Sequence, residues 1–449
     1  MEKQQVRGTF GGRISAVLVA AGSAVGLGNI WRFPYIAGEN GGGAFLLIYI
    51  GCILLMGLPL MISEFSIGAS THKNAVGAFR QLDKRWTGVG YLGILSSILI
   101  LGFYLVVAGW TAEYMVHSFL NEEQLHAASF EVHQNAFNAF ITHPWKPLIY
   151  AGIFSLATHL IVVLGVQKGI ERASKWMMPL LFIFLFILAG HSLMMPNGLE
   201  GLKFLLTPDF SKVTPDSFLV AVGQAFFSLS IGLGTMITYA SYFKPKTRVH
   251  DTALQVTILD TCVAFMSGLM IFPAVFSAGI EPTAGPSLVF ITLPTIFGSM
   301  PLSALWSSLF FVLLVLAALS STISMHESAT AYLHEEWKLS RRAAAWVTTL
   351  IVTLIGLFAS LSLGAWEWLK VCNLSLFDAL DYVTANILLP AGGLLTCIFT
   401  GWFFDRKTLQ SQLYPNGEPT VGFTILRFLI RYFCPIVVLI IFCDSLGLL

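Results

Sequence analysis

The stretch Ala21-Gly-Ser-Ala-Val-Gly-Leu-Gly-Asn-Ile-Trp-Arg-Phe-Pro34 decides how the chain is read. It lies in an apolar segment long enough to cross a bilayer, yet it carries Gly22, Gly26 and Gly28, followed by Asn29, Arg32 and Pro34. Glycine weakens a helix by roughly 1 kcal/mol relative to alanine, and proline by about 3 in a helix interior. The segment therefore has a weak middle. Backbone released from helical pairing cannot face lipid; it must be buried in protein or line a wet cavity. Carbonyls freed at that depth are cation ligands, and amides freed at a half-helix N-terminus attract anions. Taken alone, the glycines would serve equally well as a close-packing face between helices.

A second stretch favours the break. Val222-Gly-Gln-Ala-Phe-Phe-Ser-Leu-Ser-Ile-Gly-Leu-Gly-Thr-Met-Ile-Thr-Tyr239 is also long and apolar, with Gly232-Leu233-Gly234 at its centre. This motif stands 206 residues after Gly26-Leu27-Gly28. Interrupted spans in corresponding positions of two halves are the sequence signature of a transporter built from inverted repeats.

Composition agrees. Of 449 residues, 56% are hydrophobic and only 11% charged, with a mean hydropathy of +0.76, which makes this a polytopic membrane protein. The net charge of +1 says nothing about acidic partners, and no nucleic-acid partner is expected. The first apolar run is too long and too rich in Gly, Asn and Arg for a cleaved signal peptide. Six cysteines without a Cys-x-x-Cys read as core packing. No enzyme constellation such as His-Glu-x-x-His is present.

Eleven spans are expected, at about residues 13–37, 42–69, 88–120, 146–165, 168–195, 217–243, 251–279, 301–335, 342–362, 373–403 and 421–446. The N-terminus and the loops after the even-numbered spans hold 18 of the 25 Lys and Arg residues. That bias places the N-terminus in the cytoplasm and, with an odd span count, the C-terminus outside. The chain divides into a cytoplasmic segment 1–12, a five-helix repeat 13–195, a second repeat of opposite orientation 217–403, and an eleventh span 421–446. The loop of residues 281–300 is apolar for an exposed connection; it reads as a cap folded into an outer vestibule or as a surface hairpin.

Ionisable residues inside spans are costly, at least ~2.5–3.5 kcal/mol at the centre. Arg32, Glu64, Asp260 and Asp381 stand out, with placement near a helix end as the ordinary alternative. Asp260 resists that alternative, because span 7 continues well beyond it on both sides. Ser320, Ser321 and Thr322 add hydroxyls, although serines in membrane helices commonly bond back to their own carbonyls. Carbonyls, hydroxyls and one carboxylate are the oxygen set a hard cation requires.

Gly-Ser-Ala-Val-Gly-Leu-Gly-Asn-Ile-Trp-Arg-Phe-Pro, Glu-Asn-Gly-Gly-Gly-Ala-Phe, Gly-Leu-Pro-Leu, Gly-Ile-Glu-Arg and Ile-Thr-Tyr-Ala-Ser-Tyr resemble the neurotransmitter:sodium symporters, from Arg7 to past Asp381. Eleven spans fit the bacterial branch. The resemblance implies an all-α polytopic membrane protein: a LeuT-type 5+5 inverted-repeat bundle with broken helices 1 and 6, plus an eleventh span. It implies alternating access in the plasma (inner) membrane and no enzyme activity.

Carried over residue by residue, it implies two sodium sites. The first would use Ala24, Asn29, Ser228, Asp260 and the substrate carboxylate; the second Gly22, Val25, Ala317, Ser320 and Ser321. The substrate pocket would comprise Ser23, Leu27, Gly28, Ile100, Tyr104, Phe227, Ser230, Leu233, Ser321 and Met325. Arg32 and Asp381 would gate the outside, and Arg7, Tyr242 and Glu335 the inside, with Ser241 beside them. Gly169 and Pro179 resemble a Gly-x9-Pro element that lets span 5 unwind.

Two positions separate branches of the family. Gly26 stands where monoamine carriers have an aspartate, so the substrate must bring its own carboxylate. Asp260 and Ala264 stand where chloride-dependent relatives have asparagine and serine, while Tyr49, Gln224 and Ser228 retain the rest of that anion cradle. The expectation is sodium-coupled, chloride-independent symport of a neutral hydrophobic or aromatic amino acid. An amino-acid-gated sensor or channel on the same scaffold is the alternative. The oligomeric state is not legible in the sequence.

Overall fold

The computed structural model describes residues 8–120, 129–245, 247–279, 288–414 and 421–445. Among them, nine continuous helices are long and apolar enough to cross a membrane: Gly43–Thr71, Lys84–Leu120, Lys146–Val163, Val166–Leu193, Val249–Ser277, Ser303–Glu336, Arg341–Leu361, Leu376–Phe403 and Val421–Ser445. Span 1 is the pair Arg13–Ala24 and Gly28–Glu39, bent by 55°. Span 6 is also a pair, Pro215–Ser228 and Thr235–Ala240, separated by six non-helical residues. Helices therefore lie at all eleven expected positions, and both breaks are present.

The bilayer as solvent explains the surface. Ile149, Ile153, Leu156 and Leu160 on span 4 and Ile183, Phe186 and Ile187 on span 5 all face outward. Trp145, Trp337 and Trp368 lie exposed near span ends, where amphipathic rings favour the interface. Inside, span 3 packs along span 8, and both lean on spans 4 and 9. Span 1 lies against spans 7 and 8, and the second half of span 6 against span 2. The glycine-broken helices thus sit in the middle of the bundle, where neighbours can satisfy their backbone.

Proline shapes these helices. Five π-helical turns, Gly28–Arg32, Ile53–Gly57, Leu288–Thr292, Thr384–Leu388 and Leu429–Phe433, each end two residues before a proline: Pro34, Pro59, Pro294, Pro390 and Pro435. Proline lacks an N–H, and its ring clashes with the carbonyl one turn back, so the backbone widens there instead of breaking.

The expected cap falls partly outside the described residues, at 281–287. The rest forms an apolar helix, Val289–Gly298, whose Phe290 packs against Trp31, Trp110, Tyr114, Phe137 and Phe311. It folds into the bundle, as a cap does. The cysteines depart from expectation: Cys397 and Cys434 are buried, Cys52 and Cys443 partly so, but Cys262 and Cys372 are exposed. Cys262 shares its face of span 7 with the exposed Leu254 and Ile258, an outward apolar face on which a small hydrophobe is at no disadvantage.

Candidate substrate and ion site

Helix Arg13–Ala24 ends where Val25 turns extended, with φ −67° and ψ 114°. The chain between Val25 and Gly28 then crosses the centre of the bundle. Gly26 passes so close to span 8 that a Cβ there would lie 2.5 Å from Ser321 Oγ and 3.2 Å from Tyr104 Oη. No side chain fits without displacing Ser321. In span 6, Ser230, Gly232 and Gly234 all take left-handed backbone, at φ 54°, 84° and 67°. The freed Gly232 N–H donates to Glu64 Oε1 at 2.7 Å, so the fully buried Glu64 braces this break.

Two oxygen-rich clusters flank the break in span 1. In the first, Asn29, Ser228 and Asp260 are buried together. Asn29 Nδ2 donates to Ser228 Oγ and Asp260 Oδ1, both at 2.8 Å, and Ser228 Oγ donates to Asp260 Oδ2 at 2.7 Å. Asn29 Oδ1 accepts the Gly26 N–H at 3.0 Å. In the second, Ser320 Oγ lies 3.2 Å from Val25 O and 2.9 Å from Ala317 O, and Ser321 Oγ lies 3.3 Å from Val25 O. Gly22 packs beside Ser320. Spans 1, 6, 7 and 8 are thereby brought together around polar oxygens at mid-depth.

Between the clusters lies a small cavity of about 30 Å³. Ser23, Gly28, Ile100, Tyr104, Phe227, Ser230, Leu233, Ser321 and Met325 all line it. Leu27 is the one expected pocket residue outside this lining; it faces the adjoining vestibule, as do Gly28, Tyr104 and Phe227. Leu389, which the sequence reading missed, completes the wall. No ionisable carboxylate or cation is among the lining residues.

The vestibule is larger, about 470 Å³, and is lined by both Arg32 and Asp381. The two are brought to one cavity but make no direct ion pair; the Arg32 guanidinium lies 4.8 Å from the Phe227 ring centroid instead. The opposite end is sealed. Phe10 packs its ring against Tyr239, Tyr242 and Phe243, and its N–H donates to Tyr242 O at 2.9 Å. Tyr242 Oη donates to Glu327 Oε1 at 2.7 Å, and Arg341 holds Glu327 through Nη1 at 3.1 Å and Nη2 at 2.6 Å. Glu335 accepts from Asn74 N at 3.0 Å and Nδ2 at 2.8 Å, while Glu336 pairs with Arg80. His72 Nδ1 lies 3.1 Å from the Ser241 carbonyl. Arg7 lies outside the described residues. The sequence reading missed Glu327, although an acidic residue inside an apolar span was the signal that could have found it; its partner Arg341 reads in sequence as one more loop cation.

Of the anion cradle, Gln224 Nε2 donates to Gly28 O at 2.9 Å. The buried Tyr49 hydroxyl lies next to Ser228 and Asp260. Ala264 is buried one helical turn beyond Asp260.

A broken-helix bundle with oxygen clusters at its centre, a vestibule on one side and a seal on the other defines a secondary transporter. Residues 7–143 and 149–448 match the model of the Sodium:neurotransmitter symporter family, and the chain belongs to that family. It is 36% identical over 440 residues to an uncharacterized sodium-dependent transporter, YhdH, of Bacillus subtilis, covering 97% of both chains. It is 28% identical over 453 residues to the sodium-dependent dopamine transporter of Bos taurus, covering 89% of this chain and 63% of that one. The solved structure of MhsT in complex with L-phenylalanine superposes with a TM-score of 0.90 at 41% identity, covering 98% of this chain and 100% of that one. The protein is thus a sodium-dependent symporter of LeuT-type fold, embedded in a membrane by many spans, and not an enzyme.

Proposed function

We propose that the protein imports a neutral, hydrophobic or aromatic α-amino acid with two sodium ions and without chloride, by alternating access. The observation that carries this reading is the cavity between the two oxygen clusters, with apolar walls and a backbone passage at Gly26 too tight for a side-chain carboxylate. The substrate brings that carboxylate itself and completes the first sodium shell of Ala24, Asn29, Ser228 and Asp260. The second ion is held by Gly22, Val25, Ala317, Ser320 and Ser321. Ile100, Phe227, Leu233, Met325 and Leu389 surround the substrate side chain, and the L-phenylalanine bound to MhsT supports an aromatic occupant. Tyr49, Gln224 and Asp260 take the place of a chloride site. The cytoplasm lies on the sealed side, in keeping with its excess of Lys and Arg.

Two sodium ions moving with a zwitterion gain ~2.3 kcal/mol each per 100 mV, and a tenfold sodium gradient adds about 1.4 each. Tight coupling would support roughly 10⁵-fold accumulation. The test is binding of the twenty amino acids to pure protein in sodium and in choline buffers, followed by uptake into sealed vesicles. Sodium-dependent binding of hydrophobic or aromatic amino acids and saturable, gradient-driven uptake are expected. Equal affinity in both buffers refutes the coupling, and non-saturable flux would indicate a channel.

Leu233 tunes selectivity. It projects into the cavity from the broken part of span 6, near Ile100 and Met325. Leu233→Phe is expected to shift preference from aromatic toward smaller aliphatic amino acids by roughly 1–3 kcal/mol, read from competition profiles. Profiles that overlay would remove residue 233 from the side-chain subsite.

Asp381 and Arg32 face each other across the vestibule and close it when they meet. Asp381→Ala is expected to abolish uptake while leaving sodium binding largely intact, because Asp381 touches neither oxygen cluster. Near-normal uptake by the variant would exclude the pair from closure.

A further inference from the structure

Lys168, Arg172 and Lys175 stand at i, i+4 and i+7 on the first turns of span 5, so they share one helix face. With Leu164, Gln167 and Glu171 they line one concave surface. Lys168 and Arg172 are exposed and pair with no carboxylate among the described residues. Lys175 Nζ lies 2.6 Å from Glu171 Oε1, but the lysine remains 48% exposed. Glu171 is also engaged by the Gly11 N–H at 2.8 Å. Three cations thus face one carboxylate that is already committed.

What flanks the patch decides its partner. Trp176, one residue beyond Lys175, is 75% exposed, and Leu180, Ile183 and Phe186 continue outward along the same helix. A cationic turn, then an exposed tryptophan, then an apolar face is the order of groups met on passing from water through the headgroups into the acyl chains.

We propose that this face of span 5 binds the phosphate headgroup of an anionic phospholipid, with the acyl chains along Leu180, Ile183 and Phe186. Arg172 offers a planar fork for two phosphate oxygens, and the two lysines add point charges. A free phosphate could use the same donors but gains nothing from the apolar flank. The face exists only while the helix is wound. The segment carries a π-helical turn at Val166–Glu171, Gly169 within it, and Pro179 inside the helix beyond. A headgroup spanning residues 168–175 therefore favours the wound, sealed state over any unwound one, by its differential affinity for the two. The binding site is independent of the transport reading; its effect on the sealed state rests on alternating access and on the unwinding of span 5 that the Gly169–Pro179 resemblance implies.

The test uses the full-length carrier in nanodiscs of phosphatidylcholine with phosphatidylglycerol, counting retained lipids by native mass spectrometry. The parent is expected to retain phosphatidylglycerol preferentially, and Lys168→Gln with Arg172→Gln to reduce that preference roughly fivefold per cation removed. Lys168→Arg keeps the charge and should keep the preference. Hydrogen exchange of residues 166–178 should be slower in the presence of phosphatidylglycerol for the parent but not for the double variant. Undiminished preference in the double variant overturns the site, and displacement of the lipid by millimolar inorganic phosphate overturns its assignment to a lipid. Sodium-dependent amino-acid binding on the same samples verifies folding and tests the transport reading separately.

Discussion

Asp260→Asn is expected to weaken sodium-dependent amino-acid binding roughly hundredfold, since hydrogen bonds to a buried charge are worth about 1.5–3 kcal/mol each and Asp260 receives two from side chains. The carboxylate is fully buried between Asn29 and Ser228, and it is the single formal negative charge within that cluster. Two sodium ions and a zwitterion bring net positive charge to a site of low dielectric, and Asp260 offsets part of it. Removing the carboxylate while adding a hydroxyl one turn along, as in Asp260→Asn with Ala264→Ser, should open the cradle of Tyr49, Gln224 and Ser228 to an external anion. Uptake by the parent should persist when gluconate replaces chloride, and uptake by the double variant should require chloride. A chloride requirement in the parent, or indifference in the double variant, removes Asp260 from this role.

Arg341→Ala should lower stability by about 3–5 kcal/mol, because it leaves Glu327 as an uncompensated buried charge. The Glu327 side chain is 0% exposed, and Arg341, at 24%, supplies two hydrogen bonds to it and a third to Val162 O at 2.9 Å. Tyr242 donates to the same carboxylate, so the pair links spans 6, 8 and 9 on the sealed side. Thermal unfolding in detergent measures the effect. Glu327→Gln combined with Arg341→Met should recover much of it, since replacing both partners removes the stranded charge along with its counter-ion. An unchanged midpoint for Arg341→Ala would mean that water reaches Glu327 and the pair is not a structural element of the seal.

Much of this architecture was legible along the chain because it depends on local energetics. Twenty-odd apolar residues must form a helix in lipid, and a Gly-Leu-Gly at the centre of a span, met twice at corresponding places in the chain, favours a break there. Those two facts predict eleven spans and place both interruptions. The substrate positions came instead from the resemblance to the family: all ten lie on or beside the broken segments or on the long spans 3 and 8, and nine of them line one cavity. Leu389 was invisible because nothing in span 10 marks which of its many apolar residues points inward.

Pairings between distant residues were decided only by the tertiary structure. Nothing near Arg341 in sequence distinguishes it from Arg342, yet one is bound to Glu327 and the other is not. Glu64 reads as a costly charge until the break in span 6 supplies the Gly232 N–H it accepts. Arg32 and Asp381 read as partners, but in this arrangement the vestibule between them stays open and Arg32 rests on Phe227. Whether two residues share a face is set by helix period and composition, which act within about one turn. Whether two faces meet, and in which of its states the carrier holds them, depends on packing between helices tens to hundreds of residues apart, and only the folded bundle fixes that.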